Sequence, residues 1–536
     1  MSIITWMASP GSGDYNTASN WSPSVAPVNS FDDAFFGTST ITSLSINTGT
    51  MIEVGDWIFN RGASQYNFTI TNSRLDFNGA GISVNGGSVD ITLLNSILAF
   101  QNNSTAGSAS IANSDFILFH DLSTAGTANI TNSFKVQFDG YASAGNAMIH
   151  TAPAAFTYFQ GFSTGGNAQL VTDPGGTVDF SQSVGPAGDH KLTVGSIAGY
   201  GTYYLGQDQL TVGSNGLPTE VVGPVDDEGS GGGTGASLVK VGPGTLKLSG
   251  GNNTYSGGTT LEQGTLDLAA VGAAGTGAIT FSGPAELKIE SAALSGNAFA
   301  SAIHGFASGD TIDLSGLPFA PGAFASYAPS LHALSVTSSS TTITFDDVET
   351  TGTGLPFAVL DDHAGGSRVV LATIATAKHE LVDATHSPPG QPLLTNGSNL
   401  IVAEGANEII KPPGGNNTEV ARGRGDILFG SGPGDNFVFE SLKASPPGHP
   451  DEIIGFKHPL HDLIDLYDLR LAVPGDQPLV FIGGQTFSHY HHNHHNVVGM
   501  VRYAGGEVQV NVNHHLTNEF EIVMHGGPAL HAQPHH

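Results

Sequence analysis

The chain has 536 residues, 46 of them acidic and 16 basic, which gives a formal net charge of −30; it contains 73 glycines and no cysteine. The negative charge argues against nucleic acid and anionic membranes as partners, because both attract Lys and Arg. Without cysteine the chain forms no disulfide and no thiolate zinc site. The length exceeds one ordinary core, so several domains or an elongated repeat fold is expected.

The first residues, 1–60, predict an N-terminal cap. They contain all three tryptophans, Trp6, Trp21 and Trp57. A repeat fold needs such a cap because its first coil would otherwise expose an apolar end. The chain opens without a basic segment followed by an apolar one, so no N-terminal secretory signal is expected. No run of about 18 apolar residues predicts a membrane span.

Residues 61–222 carry a repeat of about twenty residues, the length of one β-helix coil. Ser-Thr-Ala-Gly at 104–107 recurs at 123–126 and, more loosely, at 142–145 and 163–166. An alternating apolar stretch follows the first three: Phe116, Ile117, Leu118 and Phe119; Phe134, Val136 and Phe138; Phe156, Tyr158 and Phe159. Short strands without helical periodicity predict a right-handed parallel β-helix whose coils stack these aromatic rings inside.

A glycine-rich acidic stretch at 223–236 predicts a linker. The residues that follow it, 237–375, predict a second solenoid module. Gly-Thr-Leu at 244–246 and again at 264–266 lie one coil apart. These motifs resemble the autotransporter-associated β-strand repeat of bacterial passenger domains, and the resemblance implies a parallel β-helix.

The segment 376–445 shows a nine-residue register of polar positions. Its members are Asn399, Glu408, Asn417, Asp426 and Asp435. The register resembles a degraded form of the RTX nonapeptide, which implies a small β-roll with Ca²⁺ between the turns. Asp426 and Asp435 are the predicted calcium ligands, since Ca²⁺ prefers carboxylate and carbonyl oxygens. The alternative is a metal-poor turn that Asn and Gly shape.

The C-terminal residues, 446–536, predict a final β domain. Asp-Glu-Ile-Ile-Gly-Phe at 451–456 and His-Asp-Leu-Ile-Asp-Leu at 461–466 resemble the serralysin-type C-terminal domain, over roughly 420–530. That family is exported through a C-terminal signal. The resemblance therefore implies an extracellular or cell-surface protein of a Gram-negative bacterium, with the type I secretion machinery as partner, that folds outside where calcium is plentiful.

Five histidines crowd one short segment: His489, His491, His492, His494 and His495. On a strand, imidazoles two residues apart share a face and could chelate Zn²⁺ or Ni²⁺. A response to pH near 6 and a solvated loop without an ion are the alternatives.

The predicted fold class is all-β: a right-handed parallel β-helix, followed by a smaller RTX-like β-roll and a C-terminal β domain. The sequence has no His-Glu-x-x-His zinc motif, no Gly-x-Ser-x-Gly elbow and no phosphate-binding loop. It favours a non-enzymatic adhesin, matrix or surface-layer component that binds glycans or copies of itself. A β-helix polysaccharide lyase or hydrolase is the alternative.

Overall fold

A computed structural model describes residues 2–352, 354–457, 461–493 and 497–526, with the side chains of Ser2, His492 and Asn493 left out. Almost all of its regular elements are β-strands, which confirms the predicted all-β class. The chain divides into two compact units: unit 1 is Met1–Ser295 with Ala300–Gly305, and unit 2 is Gly296–Phe299 with Phe306–His536. Within the described ranges, no helix is long and apolar enough to cross a bilayer.

Unit 1 consists of short strands and two single-turn 3-10 helices, Ala18–Asn20 and Ser291–Ala293. Its strands are β1 (Ser2–Trp6), β2 (Trp21–Ser22), β3 (Asp32–Phe36), β4 (Ser43–Ile46), β5 (Met51–Phe59), β6 (Gln65–Thr71), β7 (Arg74–Val84), β8 (Ser88–Leu94), β9 (Ile97–Phe100), β10 (Ser110–Asn113), β11 (Phe116–Phe119), β12 (Asn129–Asn132), β13 (Lys135–Phe138), β14 (Met148–Thr151), β15 (Phe156–Gly161), β16 (Gln169–Thr172), β17 (Thr177–Ser183), β18 (Lys191–Val194), β19 (Ser196–Gly199), β20 (Thr202–Tyr204), β21 (Gln209–Val212), β22 (Thr219–Val221), β23 (Val225–Asp226), β24 (Ser237–Lys240), β25 (Thr245–Leu248), β26 (Thr259–Leu261), β27 (Gly264–Leu268), β28 (Ile279–Phe281) and β29 (Ala285–Ile289). Strand β30 (Ala298–Phe299) belongs to unit 2, and β31 (Ile303–Phe306) has its first three residues in unit 1.

The strands of unit 1 stack coil upon coil into parallel sheets, the arrangement of a β-solenoid. Sheet A runs β2-β1-β3-β5-β7-β9-β11-β13-β15-β17-β20-β23, and sheet B runs from β4 through β6, β8, β10, β12, β14, β16, β19, β22, β25 and β27 to β29. A third sheet, C, starts at β18 and continues through β21, β24, β26 and β28 to β31. At one end of sheet A, β2 runs antiparallel to β1, with Trp21 opposite Trp6.

The predicted coil length appears directly in the strand register. Ile111 of β10 pairs with Ile130 of β12, which in turn pairs with Ile149 of β14. The Ser-Thr-Ala-Gly turns also stack, since Thr105 and Thr124 form an isolated parallel bridge. Equivalent residues of successive coils therefore lie side by side, as the spacing predicts.

Identical side chains form ladders inside unit 1. Six phenylalanines stack with their rings nearly parallel, with neighbouring centroids between 4.6 and 5.1 Å apart: Phe77, Phe100, Phe119, Phe138, Phe159 and Phe180. A buried amide pair accompanies them, in which Asn113 Nδ2 donates to Asn132 Oδ1 over 2.9 Å. The phenylalanine ladder forms part of the core, because each of its rings meets another phenylalanine one coil away.

Not all of the predicted core aromatics lie inside. Phe134 and Phe156 are 52% and 38% exposed, whereas Phe138 and Phe159 are fully buried. Successive side chains of a strand point to opposite faces, so a strand that turns Val136 and Phe138 inward must turn Lys135 outward. The aromatic series is therefore split between the core and the outer face of sheet A.

The turns between coils require glycine at one position. Gly126 has φ of +62°, and a Cβ built on it would lie 2.6 Å from the carbonyl oxygen of Gly107 in the preceding coil. A side chain there would clash with main chain that cannot move without breaking the stack.

The stretch predicted as a linker lies within unit 1. Val225–Asp226 forms β23 at the edge of sheet A and pairs in parallel with β20. The glycine-rich loop that follows is held by Asp227, whose carboxylate oxygens accept the backbone N–H groups of Gly235 and Ala236. One buried carboxylate thus anchors a loop that its composition marks as flexible.

Unit 2 adds a short α-helix, α1 (Phe487–Asn493), and the 3-10 helix Tyr467–Ala472. Its further strands are β32 (Thr311–Leu314), β33 (Phe324–Ala328), β34 (Ala333–Ser338), β35 (Thr341–Phe345), β36 (Val348–Thr350), β37 (Phe357–Asp361), β38 (Ser367–Leu371), β39 (Thr373–Ala375), β40 (Leu381–Asp383), β41 (Leu400–Ala403), β42 (Ile409–Lys411), β43 (Thr418–Ala421), β44 (Ile427–Phe429), β45 (Asn436–Phe439), β46 (Asp451–Ile454), β47 (Leu463–Asp465), β48 (Val480–Phe481), β49 (Met500–Ala504), β50 (Glu507–Asn511) and β51 (Phe520–His525).

A second, smaller parallel coil forms the centre of unit 2. One sheet runs β39-β41-β43-β45-β47, and the facing one begins β40-β42-β44-β46 and continues through β51, β50, β49 and β48. Ile401 pairs with Glu419 and Glu419 with Phe437, so each full coil takes two of the nine-residue segments. The antiparallel strands β33, β34 and β35, and β37 with β38, precede this coil.

The phenylalanine ladder gives a direct test of the core. We expect Phe138→Ala to lower the free energy of unfolding of unit 1 by about 3–5 kcal/mol, because it opens a cavity between two stacked rings. The matched control is Phe134→Ala, whose ring is half exposed and whose loss should cost about 0.5 kcal/mol or less. Urea unfolding of both variants measures the difference, and equal losses would contradict the assignment of Phe138 to the core.

Candidate functional site

The turns of the central coil in unit 2 carry stacked polar residues just before each strand. Asp426 precedes β44, and its Oδ1 accepts the N–H of Glu408 over 2.9 Å. The N–H of Asp426 is donated in turn to Asp451 Oδ1 over 2.8 Å. Asp426 and Asp451 thus each cap the main chain of the neighbouring turn in the stack. We call Glu408, Asp426 and Asp451 the acidic column.

The acidic column is buried and short of donors. All three residues have no measurable exposure. Both side-chain oxygens of Glu408, and Oδ2 of Asp426 and of Asp451, have no hydrogen-bond partner. Burial, and then the charge of Asp426, raises the pKa of Glu408 to about 8 and that of Asp451 to about 9. Burial raises the pKa of Asp426 to about 6. Unpaired buried carboxylates are costly, so this column is suited to a bound cation.

Asp435 lies in a different stack, at the edge of the other sheet. Its Oδ1 accepts both the N–H and the side-chain amide of Asn417, each over 2.9 Å, and its Oδ2 accepts the N–H of Gly432. Its own N–H is donated to Asp462 Oδ1 over 3.1 Å. We call Asn399, Asn417, Asp435 and Asp462 the amide column. Because amide and N–H donors already fill the oxygens of Asp435, a cation fits less well here.

The two predicted calcium ligands are therefore not brought together, and their partners come from elsewhere in the chain. Glu408 follows the nine-residue register and could have been found from it. Asp451 could not, because an insertion separates it from Asp426 by 25 residues instead of the 18 between Glu408 and Asp426.

The acidic character extends into the core of the same coil. Glu419 stands between Ile401 and Phe437 at an inward position and is only 1% exposed. Burial, and then the charge of Asp435, raises the pKa of Glu419 well above its usual range. The nine-residue register places an apolar residue here, so this carboxyl group adds to the unfavourable charge of the folded coil.

The described part of the histidine-rich segment lies in a helix, not in the strand on which the chelation hypothesis depends. Residues Phe487–Asn493 form α1, where side chains two positions apart point to different sides. His491 Nδ1 lies 3.0 Å from the carbonyl oxygen of Val497, and its ring contacts that of His514. Neither His489 nor His491 joins two other potential ligands among the described side chains. His494 and His495 lie outside the described residues, as does the side chain of His492.

Sheet A of unit 1 and the turns that follow β13 and β15 carry exposed aromatic rings. Tyr141 and Phe162 are 51% and 38% exposed and stack with centroids 4.7 Å apart. Nearby in the register, Lys135 Nζ lies 5.0 Å from the ring centre of Phe116 and 5.1 Å from that of Tyr158. Exposed and stacked rings such as Tyr141 and Phe162 offer a surface on which a planar or ring-shaped ligand can stack.

Unit 2 has an open cleft of about 1010 Å³. Its walls include Phe324, Tyr327 and two carboxylates, Glu349 and Glu404. Glu349 lies 3.5 Å from His332, and Glu404 lies 3.2 Å from Arg422. The cleft can hold a polar ligand; Glu404 is already engaged in an ion pair with Arg422, and Glu349 faces the imidazole of His332.

The coils around β24 to β27 contain a buried lysine that links two coils. The ammonium of Lys240 donates to the carbonyl oxygens of Val241 and Gly242, each over 2.9 Å, and to that of Gln263 over 3.0 Å. Burial lowers the pKa of Lys240 to about 8, while the three acceptors hold its protons in place. Both Gly-Thr-Leu motifs follow this lysine in the sequence. They pair with each other in register, Leu246 with Leu266.

Comparison with known families gives one match. The model of the passenger-associated transport repeat matches residues 238–268, the coils that contain Lys240 and both Gly-Thr-Leu motifs. This agrees with the resemblance of those motifs to passenger-domain repeats. No curated protein matches the chain. The repeat and the β-solenoid together suggest a passenger-type extracellular protein, and a solenoid of this kind is consistent with a structural role.

Lys240 provides a test of what the matched repeat contributes. We expect Lys240→Met to lower the free energy of unfolding of unit 1 by about 2–3 kcal/mol, because three buried carbonyl groups lose their donor. The control is Lys191→Met, whose side chain is exposed. Urea unfolding followed by circular dichroism distinguishes the two, and a neutral Lys240→Met variant would show that the lysine does not link the coils.

Proposed function

We propose that the protein is a secreted structural or adhesive surface protein, exported by type I secretion, whose unit 2 folds outside the cell as it binds calcium. The observation that carries this proposal is the acidic column, in which three stacked and buried carboxylates leave four oxygens without a donor. The passenger-type repeat supports the extracellular setting. The net charge of −30 favours cations as partners.

The coupling of folding to calcium follows from the charge of this column. Glu408, Asp426 and Asp451 repel one another once they are ionised, so the folded coil is penalised at neutral pH. Ca²⁺ bound between neighbouring carboxylates would offset their charge and use oxygens that lack donors, as a hard cation requires. No single ion is expected to contact all three, because their oxygens do not all lie within 4.8 Å of one another. Calcium is scarce in the cytosol and plentiful outside, so unit 2 stays loosely folded until export and then folds.

The solenoid of unit 1 supplies the adhesive surface in this proposal. The exposed stack of Tyr141 and Phe162 suits the apolar faces of sugar rings, which makes surface or matrix glycans the preferred partner. Parallel coils also expose their edges and faces, to which copies of the same chain can bind. A second copy of the chain is therefore the other partner we consider.

Calcium should stabilise unit 2 in a pH-dependent way. The pKa values of Glu408, Asp426 and Asp451 are raised on folding, so the protonated carboxyls stabilise the fold below about pH 4. Without calcium, that stability is lost as the pH rises towards about 9. We expect millimolar Ca²⁺ to raise the melting temperature of unit 2 by several degrees at pH 7.5, and by much less at pH 5, because protons displace the ion.

Two matched variants of the full chain test where the calcium binds. Asp426→Asn removes a charge from the acidic column and should weaken Ca²⁺ binding at least tenfold by calorimetry. Asp435→Asn keeps one side-chain oxygen that can accept the donors of Asn417 in the amide column, and it should leave Ca²⁺ binding unchanged. Equal effects of the two changes would contradict the acidic column as the site, and an unaltered melting temperature in Ca²⁺ would contradict calcium-dependent folding.

The glycan proposal predicts retention without cleavage. We expect the chain to be retained on arrays of acidic and neutral polysaccharides, and the double change Tyr141→Ser and Phe162→Ser to reduce retention severalfold. The control is Tyr200→Ser, whose ring is also exposed, at 61%. Turnover of polygalacturonate or alginate would contradict the non-enzymatic function, and retention that survives the double change would contradict the aromatic face as the binding surface.

A further inference from the structure

A group of potential metal ligands lies in unit 2 outside both columns. Asp361 ends strand β37, His363 follows it in the turn, and Asp468 lies in the 3-10 helix Tyr467–Ala472. One ligand atom from each of these three residues lies within 4.8 Å of the other two. The fold thus brings Asp468 to Asp361 and His363, which lie about a hundred residues earlier in the sequence.

Both carboxylates of this group are buried and have an oxygen that accepts no hydrogen bond from the described residues. Asp361 and Asp468 are 4% and 3% exposed, and the two oxygens are Asp361 Oδ2 and Asp468 Oδ1. Asp361 Oδ2 faces the imidazole of His363, which lies too far away for a good hydrogen bond. A protein rarely leaves buried carboxylate oxygens without a donor or a cation, because the loss of hydration is not otherwise compensated.

The imidazole is placed as in a metal site. His363 Nδ1 lies 3.3 Å from Asp361 Oδ2, and Nε2 lies 3.5 Å from Asp465 Oδ2. Two ligands each about 2.0 Å from a tetrahedral ion are separated by about 3.3 Å, so the first distance matches one edge of such a site. The second is longer than a hydrogen bond, but it places a carboxylate beside the other ring nitrogen, where such a group orients a metal-bound histidine.

The surroundings of His363 fix its position and favour a cation. Tyr467 donates its hydroxyl to the carbonyl oxygen of His363 over 3.1 Å and packs its ring edge-on against the imidazole. The local charges are the three aspartates and Glu440 against Arg368, and Glu440 is itself paired with Arg422 over 2.6 Å. The group therefore carries excess negative charge.

We propose that Asp361, His363 and Asp468 bind a divalent first-row transition metal ion of the Zn²⁺ type, with Asp465 orienting His363. A mixed set of carboxylate oxygen and imidazole nitrogen suits Zn²⁺ better than Ca²⁺, which prefers oxygen alone. The site is separate from the acidic column, whose carboxylates do not meet within 4.8 Å as these ligands do. The competing explanation is a single proton shared between Asp361 and Asp468.

Zn²⁺ titration of the full chain in saturating Ca²⁺ tests the proposal, because calcium then occupies the oxygen-only sites. The histidine-rich segment is a second place where Zn²⁺ could bind, so binding is compared among variants that all retain it. His363→Gln and Asp468→Asn should each remove one equivalent of bound Zn²⁺ or weaken it at least tenfold. The matched control is the exposed pair of His386 and Asp383, which lie 3.1 Å apart in unit 2; His386→Gln with Asp383→Asn should change nothing.

Co²⁺ absorption gives a readout that depends on geometry rather than on affinity. A tetrahedral site with one nitrogen ligand should give an intense visible band that His363→Gln abolishes and the control pair retains. Circular dichroism of each variant in EDTA checks that it is folded. Unchanged Zn²⁺ stoichiometry and affinity in both variants would overturn the proposal. So would a folded Asp468→Asn that is more stable than the parent while His363→Gln has no effect on Zn²⁺, because that pattern indicates a shared proton.

Discussion

Every coil of this protein pairs with the next in parallel register, and this backbone pairing decides which side chains meet. A residue at a given position in one coil lies beside the residue at the same position in the next, as Ile111, Ile130 and Ile149 do. The side chains of a ladder must therefore tolerate their own kind at about 5 Å, the separation of paired strands. Phenylalanine satisfies this by stacking, and asparagine satisfies it by passing one hydrogen bond along the ladder.

The same pairing is unfavourable where the repeated residue is a carboxylate. In the acidic column, like charges are brought together and away from water, and among the described residues no lysine or arginine pairs with them. In the amide column, Asn417 donates to Asp435, so the oxygens of that acid are satisfied without an ion. The contrast between these columns supports the proposal that unit 2 binds a cation at the acidic column rather than at the amide column.

Unit 1 shows how buried charge is tolerated when it is fully paired. Lys240 is nearly as buried as the acids of unit 2, yet three carbonyl oxygens surround its ammonium. Asp227 is likewise buried, and it accepts N–H groups from the loop that it holds. The carboxylates to which we assign ions, in the acidic column and at Asp361 and Asp468, are among those whose oxygens lack a donor in the described part of the chain.

The spacing of glycines and of Gly-Thr-Leu motifs was sufficient to predict the all-β class and the coil length, because one coil must close over a fixed number of residues. The nine-residue register likewise identified the positions of Glu408, Asp426 and Asp435. The sequence did not indicate that Asp426 and Asp435 belong to separate columns, since that depends on which sheet each half-coil joins. It also did not indicate α1, because histidines two residues apart have no decisive preference for strand or helix. The meeting of Asp361, His363 and Asp468 depends on tertiary structure alone: a turn and a 3-10 helix far apart in sequence are brought together only when unit 2 packs its core.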